Sequence, residues 1–163
     1  MRKELENMTN VNKLWVFDID GTLADNDHRQ HLIVNGNRDW DTFFSLQHKD
    51  EPFDAVMTIF DTLVATGHKC IIITARCERF RQETLDWLNK HHNGTIKSED
   101  VFMRPLNDRT DDDKIKLNIL NQIVEGSPDL KVMGIFEDRH RIIDAFRDAG
   151  YYVFECNQKR MEF

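Results

Sequence analysis

Five short apolar runs recur along the chain, each too brief for a helix and separated from the next by a stretch with helical spacing, and this rhythm constrains the fold more than any other feature. The first run, Leu14-Trp15-Val16-Phe17, is apolar without alternation and precedes a turn-prone Asp20-Gly21, so it reads as a strand buried on both faces. Runs at 69–73, 101–103, 132–136 and 151–154 repeat it. Between them, Phe53, Val56, Met57, Phe60, Leu63 and Val64 follow i, i+3, i+4, i+7 spacing after a first-turn Pro52 and stop at Gly67. A second helical pattern runs from Phe80 through Thr84, Trp87 and Leu88 to His91 and ends near Gly94. The third covers 113–125 and ends at Gly126, and the fourth covers 140–149 and ends at Gly150.

Such β-α alternation predicts an α/β fold: a Rossmann-like, doubly wound, mainly parallel five-stranded sheet with helices on both faces and ligands beyond the carboxyl ends of the strands. The length of 163 residues fits one domain over 1–163. Residues 24–50 break the rhythm and predict a small lid after the first strand, with one short helix around 39–47. Within it, Trp40, Phe43 and Phe44 read first as anchors of the lid and second as surfaces for stacking a base, and His28 and His31 read as lid residues. No run approaches the roughly 18 apolar residues of a membrane span. The polar start MRKELENMTNVNK lacks the apolar stretch of a secretory signal, so a cytoplasmic location is expected. Three cysteines without metal-type spacing predict neither a disulfide framework nor a zinc site, and Cys77 reads as an incidental small residue. A net charge of −7 excludes a broad polyanion-binding surface, so a nucleic acid would have to be gripped locally.

The residues just past the strands carry the chemistry: Asp18-Ile19-Asp20-Gly21-Thr22, Thr74-Ala75-Arg76 and Glu137-Asp138. Adjacent strand ends in a parallel sheet lie about 5 Å apart, so four carboxylates, Asp18, Asp20, Glu137 and Asp138, are expected to converge. At ~4 Å and an effective dielectric near 20, each like-charge pair costs roughly 4 kcal/mol, which demands a cation or shifted pKa values. Hard oxygen donors without His or Cys point to Mg²⁺. The spacing of Asp18 and Asp20 separates two tasks: the first carboxylate faces a phosphorus, and the second, beyond the bend, reaches the leaving oxygen.

The string Asp18-Ile19-Asp20-Gly21-Thr22-Leu23, followed in order by Thr74, Lys116 and Glu137-Asp138, resembles the four motifs of the haloacid dehalogenase (HAD) superfamily of phosphatases over about residues 14–155. The resemblance implies that Asp18 is the nucleophile and a metal ligand, and that Asp20 is the acid/base whose backbone carbonyl also meets Mg²⁺. It makes Thr74 a phosphate donor, Lys116 the charge that orients Asp18, and Asp138 a further metal ligand. Glu137 replaces the commoner Asp, which leaves open whether it touches the metal or only supports it. Leu23-Ala24-Asp25, His28-Arg29, Asp39-Trp40-Asp41, Thr74-Ala75-Arg76, Met103-Arg104-Pro105 and Glu137-Asp138-Arg139 resemble one branch, the phosphatase domain of phage-type polynucleotide kinase-phosphatases. Asp112-Asp113-Lys114-Ile115-Lys116 with Ile119 resembles that branch's D-D-x-x-K-x-x-I segment and selects Lys116 over Lys114. In such enzymes Arg76 and Arg104 would be substrate contacts. No GxxxxGK[ST] stretch occurs, so the resemblance does not extend to the kinase half.

The expected activity is therefore Mg²⁺-dependent phosphomonoester hydrolysis through an aspartyl phosphate, on nucleotides or polynucleotide 3′ ends. A 5′-nucleotidase or a general small-molecule phosphatase is the alternative. A phospho-accepting receiver-like module fits less well, because a receiver places its acidic pair early and has no use for Asp20. Oligomeric state is not encoded in any feature of the sequence.

Overall fold

The structure, a computed structural model, describes residues 12–156. The polar start at residues 1–11 lies outside them. Five strands, β1 (Lys13–Phe17), β4 (Lys69–Cys77), β5 (Val101–Arg104), β6 (Lys131–Glu137) and β7 (Val153–Glu155), form one sheet in the order β5-β4-β1-β6-β7, with every pairing parallel. The chain moves outward from β1 through β4 to β5 and then crosses back to β6 and β7. This reversal puts a crevice at the carboxyl end of β1, where α/β sheets bind ligands.

Both faces of the sheet are buried, which explains the uninterrupted apolar runs. On one face Phe17, Ile72 and Phe136 pack with Met57 and Phe60 of α3 (Asp54–Ala65) and Trp87 and Leu88 of α4 (Arg81–His91). On the other, Val16, Ile73 and Ile135 pack with Leu120 of α5 (Asp112–Glu125) and Ile142, Ile143 and Phe146 of α6 (His140–Asp148). The faces alternate residue by residue along β1 and β4, the period-2 signature of a strand.

An aromatic ladder crosses three strands. Phe17 stacks on Phe136 at 4.4 Å and Phe136 on Phe154 at 4.7 Å, and these residues are also register partners. The residues that follow, Asp18 and Glu137, are thereby brought side by side at the strand ends. Gly134 makes room for the ladder's edge: a Cβ there would stand 2.6 Å from Phe154 and 3.0 Å from Trp15.

Two expected helix stops are Schellman closures. Gly67 (φ +83°) and His68 donate to Val64 and Leu63, while Gly150 (φ +89°) and Tyr151 donate to Arg147 and Phe146. Because Tyr151 is used in closing α6, the last strand begins at Val153 rather than at 151. Gly126, by contrast, ends α5 with φ −73°, needing no left-handed turn. Pro52 lies not in the first helical turn but in a two-residue antiparallel pair, β2 (Ala24–Asp25) with β3 (Glu51–Pro52), and Phe53 N–H donates to Leu23 O at 2.8 Å. That pair closes the root of the lid. The lid itself carries α1 (Asp27–Gln30) and α2 (Trp40–Ser45), the latter capped by Asp39, whose carboxylate accepts from Thr42 N–H at 3.1 Å.

Among the described residues no helix is long and apolar enough to cross a membrane, and all three cysteines are free. Gly134→Ala should cost about 1–3 kcal/mol by overpacking against the ladder. Urea denaturation should show the loss, and an unchanged midpoint would mean that the aromatic rings shift aside freely.

Candidate active site

Asp18 is the first residue beyond β1 and is buried; its N–H donates to Phe136 O at 3.0 Å, which continues the strand pairing by one residue. Lys116, one turn into α5, reaches across from the neighbouring layer. Its ammonium donates to Asp18 Oδ1 at 2.6 Å and to Glu137 Oε2 at 2.7 Å. Asp18, Glu137 and Asp138 each offer an oxygen within 4.8 Å of the others, and all three are buried. Lys114, two residues away, is instead a surface group paired with Asp111 at 3.0 Å.

Three buried carboxylates against one ammonium leave a charge excess that shows in their protonation. Burial first, then the Glu137 charge, against the pull of Lys116, pushes Asp18 up to about 7. Burial and the charges of Glu137 and Asp18 push Asp138 up to about 9. Burial disfavours the Lys116 ammonium, but Asp18 and Glu137 hold its pKa above the usual lysine range.

The donor set fits a hard divalent cation. Asp138 Oδ1 is buried with no hydrogen-bond partner, and the surrounding ligands are all oxygen. Glu137 is placed differently. One of its oxygens holds Lys116, and the other accepts from Asp138 and Arg139 N–H at 3.2 Å each, so it secures the lysine and the approach to α6. Gly21 (φ +84°) gives Asp138 its space: a Cβ at Gly21 would lie 2.1 Å from Asp138 Oδ2.

The fourth carboxylate does not join this cluster. After β1 the chain turns sharply, Ile19 O accepting from Thr22, Leu23 and Ala24, and Asp20 projects toward the lid. Arg76 grips it bidentately, Nε to Oδ2 at 2.8 Å and Nη2 to Oδ1 at 2.7 Å, and Arg29 of α1 adds a third donor to Oδ1. Burial alone would raise Asp20, but the Arg76 and Arg29 charges hold it well below the usual carboxylate range. Convergence is therefore three carboxylates, with the fourth diverted by two guanidinium groups.

Arg76, expected as a substrate contact, is here engaged by Asp20. It is fully buried, with its remaining donors on Gln47 Oε1 and Asp50 Oδ2. Arg104 is also engaged away from the carboxylate cluster, tying the end of β5 to Thr110 O at 2.6 Å and Asp112 Oδ1 at 2.5 Å. Thr74 is buried in β4, where the pairing with β5 shifts register between Ile73 and Cys77, and its Oγ accepts from Arg76 N–H at 3.2 Å. Thr74, Ala75 and Arg76, expected just past the second apolar run, lie inside this irregular strand end.

Two residues central to the arrangement carry no sequence signal. Asp50 is buried and accepts from Arg29 Nε at 2.8 Å, Arg29 Nη2 at 2.5 Å, Arg76 Nη2 at 3.2 Å and His28 Nε2 at 2.8 Å. Gln47 Oε1 accepts from both Arg76 and Thr84, the latter at 2.8 Å. Both belong to the lid, and Trp87 Nε1 fastens it further by donating to Asp50 O at 2.8 Å. Only the tertiary fold sets them opposite the arginines.

Asp50→Ala should destabilise the fold by roughly 3–5 kcal/mol, because two buried guanidinium groups lose their shared counter-charge. Denaturant titration measures this, and a loss below 1 kcal/mol would show that water replaces the carboxylate. Gly21→Ala should lower the affinity of the carboxylate cluster for added Mg²⁺ about fivefold or more, since displacing Asp138 by the strained left-handed residue costs upward of ~1 kcal/mol. Calorimetric titration with Mg²⁺ decides it; unaltered affinity would show that Asp138 takes no part in holding the ion.

Comparison with known proteins places this geometry. Residues 12–161 match the family model described as the polynucleotide kinase PNKP phosphatase domain. A protein of Autographa californica nuclear polyhedrosis virus, named as a bifunctional polynucleotide kinase/RNA ligase, is 30% identical over 149 residues, covering 90% of this chain and 20% of that protein. In the solved structure of the Pnkp1/Rnl/Hen1 RNA repair complex, one chain is similar in fold with a TM-score of 0.70 and 23% identity, over 90% of this chain and 43% of that one. The class C acid phosphatase from Bacillus anthracis shares the fold with a TM-score of 0.64 and 13% identity, over 96% and 74% of the two chains. The chain thus spans a fifth of the viral relative and less than half of the repair-complex chain. With the family model covering nearly its whole length, the chain belongs to the PNKP phosphatase domain family and is a HAD-type phosphatase.

Proposed function

We propose that the chain hydrolyses a terminal phosphate from polynucleotide 3′ ends, with Asp18 as the nucleophile and Mg²⁺ as the cofactor. The observation that carries this reading is the Lys116 ammonium, 2.6 Å from Asp18 Oδ1, facing a carboxylate cluster with an unpartnered oxygen on Asp138. Lys116 draws Asp18 toward its ionised, nucleophilic form and supplies charge to the incoming phosphate. Asp18 and Asp138 would hold the metal, with the Asp20 carbonyl completing the set from this chain, and Glu137 would steady Lys116 rather than the ion. When bound, Mg²⁺ would screen the phosphate from the carboxylates and stabilise charge on its equatorial oxygens.

In the first half-reaction an Asp18 carboxylate oxygen forms a bond to phosphorus as the bond from phosphorus to the sugar oxygen breaks. Water then attacks the acyl phosphate and restores Asp18. Asp20, positioned by Arg76 and Arg29, would take the proton of that water and return it to the next leaving oxygen; the two guanidinium groups make it a weaker base than a free carboxylate, so their contribution is its placement. Thr74 has its hydroxyl proton free of the Arg76 N–H contact and would donate it to the phosphate. Arg76 and Arg29 support Asp20 instead of meeting substrate directly. The polynucleotide assignment is supported by the family match and by the viral and repair-complex relatives. The cytoplasm, with its free thiols and supply of Mg²⁺, is the compartment this reading favours.

Asp18→Asn should lower kcat by at least about 10⁴-fold while leaving the melting temperature close to that of the parent, and EDTA should abolish turnover reversibly. Phosphate release from 3′-phosphorylated oligonucleotides, 5′-mononucleotides and glycerol 2-phosphate distinguishes the substrates. Preference for 5′-mononucleotides would replace the 3′-end assignment, and full activity in EDTA would refute the metal.

A further inference from the structure

The aromatic side chains of the lid divide into two groups. Phe43 is buried with the Arg29 guanidinium 4.0 Å from its ring centre, and Phe44 packs on Phe80, beyond the end of β4, with ring centres 5.5 Å apart. Phe44 fastens the lid to the body, and Phe43 fills the interior of the lid. Trp40 does neither. It stands at the first position of α2, lies roughly parallel to Phe44 (6.1 Å, 25°), meets Phe43 edge-on (5.8 Å, 80°), and is 45% exposed. Two rings fix the orientation of the indole while much of its surface faces solvent. Beside it, Arg79 lies over Phe80 at 4.6 Å and pairs with Asp41 of α2, which steadies the helix that carries Trp40. Phe44, Gln47 and Trp87 already anchor the lid, so an exposed, pre-oriented indole is not needed for that purpose.

We propose that Trp40, backed by Phe44, is a stacking platform for a nucleobase near the end of the strand whose terminal phosphate meets Asp18. The proposal rests on the polynucleotide-end reading above. Its position follows from the connection to the site: Arg29 grips Asp20 with one edge and lies over Phe43, and Phe43 touches Trp40. One guanidinium and one ring therefore separate the platform from the carboxylate that handles the proton.

Charge favours a base as the occupant. With a net charge of −7 the chain lacks the basic surface that would hold a strand by its phosphates, and stacking is the sequence-tolerant alternative. Each base stacked on an aromatic ring gains roughly five- to 150-fold in affinity. A flat ring held by two others loses little freedom on binding, so most of that gain is retained.

The test compares kcat and KM of the parent, Trp40→Ala and Trp40→Phe on a 3′-phosphorylated single-stranded oligonucleotide and on glycerol 2-phosphate, which has no ring to stack. Trp40→Ala should raise KM for the oligonucleotide about tenfold with kcat nearly unchanged, and should leave glycerol 2-phosphate hydrolysis unaltered. Trp40→Phe should recover part of the loss. Abasic residues at the last three positions of the oligonucleotide should weaken the parent to a similar degree and Trp40→Ala no further. An unchanged KM for the oligonucleotide in Trp40→Ala overturns the platform while leaving the 3′-phosphatase reading intact. Equal losses on both substrates would make Trp40 a structural support and also overturn it. If the parent hydrolyses glycerol 2-phosphate but not the oligonucleotide, the polynucleotide reading fails and the platform with it.

Discussion

One buried ammonium governs this molecule's active centre. Lys116 lies between Asp18 and Glu137, two carboxylates that a parallel register forces together at neighbouring strand ends. Without it, three acids would share a water-poor crevice with no counter-charge, and protonation would remove the proposed nucleophile, Asp18. With it, the pocket stays two charges short of neutrality when all its carboxylates are ionised, a deficit that one divalent cation would meet. The lysine sits near the start of α5, where a helix dipole disfavours cations, and its carboxylate partners offset that placement.

A second set of charges works by the opposite logic. Around Asp20 the guanidinium groups of Arg29 and Arg76 are in excess, and Asp50 supplies the balancing carboxylate from beneath. Because Arg29, Gln47 and Asp50 belong to the lid, while Asp20 and Arg76 belong to the sheet, the network joins the two parts of the chain through buried ion pairs. Lid and catalytic crevice are in this sense one electrostatic unit. The lid is held in place by groups that also set the protonation of Asp20, so loosening it would disturb the proton transfer proposed for Asp20 before it disturbed Asp18.

Much of this architecture is legible in the sequence. The apolar runs and helical spacings mark all five strands of the sheet and the four long helices, since both signals depend on local burial period alone. The neighbours of Asp18 are legible as well: strand ends mark Glu137 and Asp138, and the resemblance of Asp112-Asp113-Lys114-Ile115-Lys116 to the family segment singles out Lys116. What escaped depends on three-dimensional closure. Asp50 is a lone acid before Glu51-Pro52, and nothing local distinguishes it from a solvated lid residue. Arg76 follows Thr74 in sequence as a phosphate contact would, yet the bend after Ile19 turns Asp20 toward it and occupies its fork. Pro52 looks like a helix opener, but the lid must close on β2, and that pairing takes it into β3. Tyr151 looks like strand and is instead consumed in the Schellman closure of α6.

The stack of Phe17, Phe136 and Phe154 acts as a ruler for the chemistry. Each ring fixes the strand coordinate of the acidic residue that follows it, so the spacing of charges at the mouth of the crevice is inherited from hydrocarbon contacts one residue deeper. A single residue inserted in β6 would reverse the facing of every side chain after it and carry Glu137 away from Lys116. The strands are therefore intolerant of length changes, whereas the middle of the lid, bounded at its root by β2 and β3, tolerates them. Variation in length should accumulate in that loop, where it changes what enters the crevice without altering the reaction performed there.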